Sequence, residues 1–330
     1  MFSKPIVRRA LLCGAILLPA LFAQNAHAQS GTIRIIVGTV AGGAIEPYAR
    51  MIAEHMTRTL GQPIIIENKP GASGNIAAQY IADQPADGTI VWLGTQAFTE
   101  ILPNLFANKR WSIEQFHPII RGVEAPLAFV AHPGVPARTF DEFLKWARDN
   151  KGKLSYSSYQ AGTPSHFLGF QLNEKFGLDL THVPYRGSGL QATALLAGHS
   201  QFGFGQVNST LPHVRDGKLK AFATTGPKRD RSMPDVPTFA ELGHPDFTAK
   251  VWFGLLVKEG TPAPVLKRLT DAAVAAHADP GIRQKLEAQG FDVSGETGPQ
   301  LKKTIIEQGA RWGRLVKASG ISVEDRGSTR

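Results

Sequence analysis

Short apolar runs rich in β-branched and aliphatic residues, almost free of charge, recur along the first part of the chain at residues 33–37, 64–66, 90–93, 119–123 and 127–131. Runs of this kind belong to strands covered on both faces, as in parallel α/β sheets. Between the first two the period changes. Tyr48, Ile52, Met56 and Leu60 recur every four residues, opened by Pro47 and stopped by Gly61, which predicts a helix with one apolar stripe. A second set of strands is predicted at residues 154–159, 181–184, 202–204 and 221–225, again separated by helical stretches. Thr139 and Glu142 form a capping box ahead of Phe143, Leu144 and Ala147. Thr163-Pro164 opens a further helix that Gly177 closes. A last apolar strand at residues 251–257 precedes three helices that begin near Pro264, Pro280 and Pro299. Strands alternating with helices predict parallel sheets with right-handed crossovers. Two such sets and a C-terminal return predict two α/β lobes facing a cleft.

The N-terminus reads differently. Lys4, Arg8 and Arg9 precede an apolar run from Ala10 to Ala23, broken only by Gly14 and Pro19, and Ala26-His27-Ala28 follows. This is the pattern of a secretory signal cleaved after Ala28, too short for a spanning helix. The single cysteine, Cys13, lies inside that run, so the mature chain would have none. That excludes a disulfide framework, a thiol nucleophile and thiolate metal sites, and export without disulfides points to a periplasm. Removing 28 of 330 residues leaves 302, which at roughly 150 residues per domain suggests two domains.

Charge narrows the partners. The whole chain carries +9, and without the three basic residues of the signal 33 basic residues face 27 acidic ones. They are scattered, with Lys228-Arg229-Asp230-Arg231 the one dense run, which reads as a solvated loop. No basic stripe with interleaved aromatics exists, so nucleic acid is not an expected partner. A modest positive field favours encounter with small anions.

The strongest local chemistry lies at helix N-termini, where free amides and the positive dipole end favour an anion. Three turns qualify: residues 39–46, where Gly42 and Gly43 let a ligand approach the backbone and Glu46 follows; residues 161–166, with Gly162, Thr163, Ser165 and His166; and residues 185–189, with Tyr185 and Gly187. Ordinary loop chemistry explains each turn equally well on its own. Enzyme signatures are missing. Gly38-x-x-x-Gly42-Gly43 has the wrong spacing for a dinucleotide loop, and neither a phosphate loop nor a His-Glu-x-x-His zinc motif occurs. Ser165 and His166 are adjacent, so on one helix they point about 100° apart and cannot pair as nucleophile and base. No cofactor or metal is implied.

An ordered series of motifs then carries a resemblance. It includes Leu60-Gly61-Gln62-Pro63, Glu67-Asn68-Lys69-Pro70-Gly71-Ala72, Gly74-Asn75-Ile76, Ala86-Asp87-Gly88, Gly94-Thr95, Ser165-His166, His182-Val183-Pro184-Tyr185, Leu211-Pro212-His213, Pro234-Asp235-Val236-Pro237-Thr238 and Trp252-Phe253-Gly254. With it the chain resembles, from about Thr32 to Ile321, the extracytoplasmic solute receptors of tripartite tricarboxylate transporters, often called the Bug family. The resemblance implies a two-lobed periplasmic binding protein fold of type II, acting as a monomer. Such a receptor closes on a small organic acid and presents it to membrane permease subunits. The implied lobes are residues 29–126 with 250–330, and residues 127–249. The implied ligand-binding residues are Gly42 and Gly43, Gly94 and Thr95, Gly162, Thr163, Ser165 and His166, with Tyr185 and Gly187 nearby. Departures from the family pattern add others. Glu46 stands where an Asp is usual, to cap its helix or to meet an amine or hydroxyl. Gln206 falls where the cleft rim often carries an acid. Phe98 and Tyr159 replace small residues, either as flat walls for the ligand or as core. A ligand sensor feeding a membrane signalling protein is the alternative reading, and a periplasmic hydrolase using Ser165 or His166 a weaker one.

Overall fold

The computed structural model describes residues 31–42, 45–106 and 109–321. The expected signal at residues 1–28 and the candidate Gly43 lie outside the described residues. The first half alternates strand and helix: β1 (Ile33–Val37), α1 (Ile45–Leu60), β2 (Ile64–Asn68), α2 (Asn75–Ala82), β3 (Ile90–Thr95) and the short α3 (Leu102–Leu105). β1 pairs in parallel with β2 and β3. The Tyr48, Ile52 and Met56 stripe of α1 is wholly buried against this sheet, and Gly61 ends the helix with a positive φ of 62°, which costs glycine nothing.

β4 (Phe116–Ala131) corrects the expectation of two strands at residues 119–123 and 127–131: it is one strand of 16 residues. Its first part pairs with β9 (Lys250–Lys258) as far as Pro126 opposite Lys250, and from Leu127 it pairs with β7 (Phe202–Gln206) and β8 (Lys220–Thr224). Pro126 therefore sits where the strand leaves one sheet for the other, a place where its missing N–H breaks no interior ladder. The second sheet also holds β5 (Ser155–Ser158) and β6 (Thr181–Pro184), parallel to each other, with β5 parallel to β7. Its helices are α4 (Phe140–Asp149), α5 (Pro164–Phe176), α6 (Ser188–Leu196) and α7 (Val207–Arg215). α4 starts as its capping residues predict, Thr139 Oγ1 accepting from the Glu142 amide at 3.2 Å. The chain returns through β9 to α8 (Ala263–Ala278), α9 (Pro280–Ala288), β10 (Asp292–Thr297) and α10 (Gly298–Ser319).

The sheets are mixed rather than parallel. β9 runs antiparallel to both β3 and β4, and β10 antiparallel to β4. The reason is the return path: the chain re-enters the first sheet from the second and needs no crossover helix to reach β9. β10 has no counterpart in the sequence reading, because Asp292-Val-Ser-Gly-Glu-Thr297 has no apolar alternation and its pairing slips between Val293 and Glu296.

Four apolar clusters cover both faces of both sheets, as the uncharged strand sequences require. The strand leaving the first sheet and the segment returning to it are stitched by one side chain: the Leu127 amide donates to Thr225 Oγ1 at 2.8 Å, and Thr225 Oγ1 donates to the Ala249 carbonyl at 2.7 Å. Thr225→Val keeps the shape but orphans a buried amide. It should lower unfolding free energy by about 1–3 kcal/mol, read from urea midpoints, and a change below measurement error would mean water replaces the hydroxyl there.

Candidate functional site

The loops at the facing ends of the two sheets line a partly open cavity. From the first sheet come Thr39 and Val40 after β1, Ile45 at the start of α1, Thr95 to Phe98 after β3, and Val251 and Phe253 of β9. From the second come Tyr159 and Gln160 after β5, Thr163 before α5, Gly187 and Ser188 at the start of α6, and Gln206 before α7. Among the described residues no charged side chain lines it. An outer chamber shares Thr39, Val40 and Gln160 with it and carries Tyr185 and Arg186. Ser73 Oγ donates across this mouth to the Ala161 carbonyl at 3.1 Å. Ser73 and Ala72 are non-glycine residues at φ 53° and 42°, so this latch is held in a sparsely populated backbone region.

Among the residues singled out from the sequence, Thr95, Phe98, Tyr159, Thr163, Gly187 and Gln206 line the inner cavity, and Tyr185 lines the outer chamber. Phe98 is both wall and core, stacked on Trp92 with centroids 6.3 Å apart. Glu46 ties its helix to the loop before it. Its Oε2 accepts from the Gly42 amide at 2.5 Å, and its Oε1 accepts from Arg50 Nε at 2.9 Å and from Arg50 Nη2. The Gly42 amide and the Arg50 guanidinium hold this carboxyl below its ordinary range.

Other candidates are turned to structure. Gly94 faces Gly254 in the β3–β9 ladder, and a Cβ there would meet the Leu256 Cδ1 at 2.2 Å, so this glycine serves strand packing. Ser165 Oγ donates to the Phe204 carbonyl at 2.5 Å, and the Gly162 amide donates to His166 Nδ1 at 3.2 Å. His166 stacks on His182 with centroids 3.7 Å apart, and Ser158 Oγ lies 2.7 Å from His182 Nε2. None of these lines either chamber, and Ser158 and Ser165 are wholly buried. Burial pushes His166 down to about 4, and burial with the charge of His166 pushes His182 down to about 3. Both rings are thus neutral packing groups at neutral pH, not bases serving a nucleophile.

Thr39, Gln96, Gln160 and Ser188 line the cavity without having been singled out. The signal was positional: each sits one to three residues from a flagged residue, at the end of a strand or the start of a helix. Two of them offer unspent hydrogen-bonding capacity, since Thr39 Oγ1 and Gln96 Oε1 are buried without a partner. Gln96 also borders a second, more polar cavity lined by Glu100, Arg121, Trp252 and Arg311. Glu100 is 1% exposed, receives Trp252 Nε1–H at 2.8 Å, and is raised to about 7 by burial.

Comparison with known proteins agrees with this architecture. The model of the tripartite tricarboxylate transporter family receptor, TctC, matches residues 48–321. A UPF0065 protein of Bordetella pertussis is 32% identical over 303 residues, 91% of this chain and 94% of that protein. The periplasmic binding protein BugD superposes with a TM-score of 0.82 at 30% identity, over 88% of this chain and 98% of its own. MatC from Rhodopseudomonas palustris with bound malate gives 0.79 at 30% identity, over 86% and 98%. These proteins are solute-binding receptors rather than enzymes, built like this chain as two α/β lobes of the periplasmic binding protein type. Among the described residues no helix is long and apolar enough to cross a membrane. Matched along nearly all of its described length in sequence and in fold, the chain belongs to the tripartite tricarboxylate transporter receptor family.

Proposed function

We propose that this chain captures a small organic acid between two lobes, residues 29–126 with 250–330 and residues 127–249. It would do so in the periplasm as a monomer, exported on a signal removed after Ala28, and hand the acid to the permease subunits of a tripartite tricarboxylate-type transporter. The observation that carries the reading is the cavity itself, free of charged side chains among the described residues and built from the loops of both sheets. MatC, of the same family and fold, holds malate. The wall is neutral and mostly apolar, and the helix starts that reach it suit an anion because backbone dipoles offset its charge.

The binding residues in this reading are Thr95, Phe98, Tyr159, Thr163, Gly187 and Gln206, joined by Thr39 and Ser188. Since residues of both lobes touch the acid, its binding free energy favours the closed arrangement over the open one, and the closed arrangement is what a membrane partner reads. Calorimetric titration with an acid and with its primary amide separates the carboxylate from the rest of the molecule. The acid should bind at least 100-fold more tightly. Ala97→Trp, which fills the cavity from β3's end, should abolish binding while the protein still unfolds cooperatively. Equal affinity for acid and amide would refute the carboxylate reading, and undiminished binding to the tryptophan variant would move the ligand elsewhere.

A further inference from the structure

Four helices, α1, α5, α6 and α7, begin at the cleft, and at the first two the protein's own side chains lie against the free amides. At α1 the Glu46 carboxylate already accepts from the Gly42 amide and is clamped by Arg50. It is 7% exposed, so an incoming carboxylate at this mouth would meet a fixed like charge. At α5 the Tyr159 hydroxyl faces the Ser165 amide and the side chains of Thr163 and Gln206, while the Gly162 amide is taken by His166 Nδ1. α6, like α5 and α7, has no side-chain cap, and its Gly187 and Ser188 line the cavity, with the Gly187 amide donating to the Tyr159 carbonyl at 2.8 Å. A Cβ placed on Gly189 would lie 3.9 Å from the Gly42 carbonyl oxygen, so this mouth stands close to the opposite loop. The unpartnered Thr39 Oγ1, on the first sheet's side, lines the same cavity.

The rest of the chamber is apolar on one side, through Ile45, Ala97, Phe98, Val251 and Phe253. Next to Ala97 in sequence, Gln96 is 6% exposed, and its Oε1 has no partner although the residue borders the cavity. Its amide also contacts Glu100. A second carboxylate at this end would therefore press against an acceptor with a buried acid directly behind it, whereas a single neutral hydroxyl could donate to Gln96.

Building on the proposed function, we propose that the cleft selects monocarboxylic acids with a flat apolar body over dicarboxylic acids. The acid group would be held at the start of α6 with Thr39, the body would lie against Phe98 and Phe253, and the far end would be apolar or carry one neutral donor facing Gln96. The probes cover both ring and straight-chain bodies.

The test titrates the wild-type chain calorimetrically with matched pairs: hexanoate against adipate, and benzoate and 4-hydroxybenzoate against terephthalate. The monoacid of at least one pair should bind tenfold or more tightly than its diacid. Glu46→Gln, which removes the fixed charge before α1, and Tyr159→Phe, which removes the hydroxyl facing the Ser165 amide, each checked for an unchanged cooperative unfolding transition, should narrow that ratio. A diacid that binds as tightly as its monoacid, or a ratio untouched by both variants, would overturn this selectivity while leaving an acid receptor in place. Binding of neither class would overturn the receptor reading as well.

Discussion

Acidification from pH 6.5 to 4.5 is expected to lower the unfolding free energy by roughly 3 kcal/mol, and Glu100→Gln is expected to roughly double that loss. His166 and His182 titrate near 6.5 when unfolded but are pushed down to about 4 and about 3 in the folded chain. The stability that their neutral forms contribute is present above 6.5 and is lost as pH falls, because the unfolded chain then binds two more protons. Two protons correspond to about 2.7 kcal/mol per pH unit. Glu100 opposes them. Raised to about 7 from 4.5, it stays protonated in the fold, so its burial is cheapest at low pH and the folded chain binds one more proton between 4.5 and 7. The net is about one proton, or about 1.4 kcal/mol per unit. His277, also held low by burial, adds to the loss. The geometry gives a reason for the low values. Protonating His166 would turn Nδ1 into a donor against the Gly162 amide and set a cation on the His182 ring 3.7 Å away. Urea unfolding at several pH values reads the slope directly; a curve that is flat for the wild type and for Glu100→Gln alike would mean these rings are hydrated and titrate freely.

Phe129→Ala should cost about 3–5 kcal/mol, the range for removing a fully buried phenyl ring without refilling its space. Phe129 is 0% exposed at the centre of the second lobe's aromatic cluster, with centroids 4.9 Å from both Phe143 and Phe204 and 6.0 Å from Phe140, Phe202 and Phe222. Those rings come from α4, β7 and β8, so none can close the void without moving its element. The same residue lies on β4 just past its exit from the first sheet, and Phe204 leads into Gln206 at the cavity. Ligand affinity should therefore fall along with stability, to a degree that Phe129→Leu partly restores. A loss under about 1 kcal/mol in urea, well short of the usual cost of such a truncation, would show that the cluster repacks freely and that the cavity is not rigidly framed.

The strands and their burial could be read from the chain because uncharged β-branched runs suit only sheets covered on both faces, and β1, β3 and β7 fall where such runs occur. What could not be read was how the strands meet. The passage of β4 between two sheets depends on the partners available on either side of Pro126, and the direction of β9 depends on where the chain comes from. Neither is a local property. The cleft shows the same division. Thr163 and Gly187 were found because helix starts advertise themselves in glycine, proline and hydroxyl residues, and Phe98, Tyr159 and Gln206 because they depart from a family pattern. The placing of Glu46 was half visible, since acids are favoured near a helix start, but its bond to the Gly42 amide in the preceding loop was not. The Tyr159 hydroxyl facing α5 could not be seen, nor the diversion of Gly94 and His166 into packing, because these depend on neighbours distant in sequence.

The measurement that bears most directly on the central claim is thermal unfolding of the chain from Gln29 onward. The protein would first be freed of carried-over ligand by unfolding and refolding, then scanned with a panel of aliphatic, aromatic and amino mono- and dicarboxylic acids. At about 100 times its dissociation constant a bound acid adds about 2.7 kcal/mol to the folded state, a clear rise in midpoint. The account predicts such a rise for a narrow set of acids, each recovered chemically intact. Folded protein whose midpoint no acid raises, or whose acid returns converted, would contradict it.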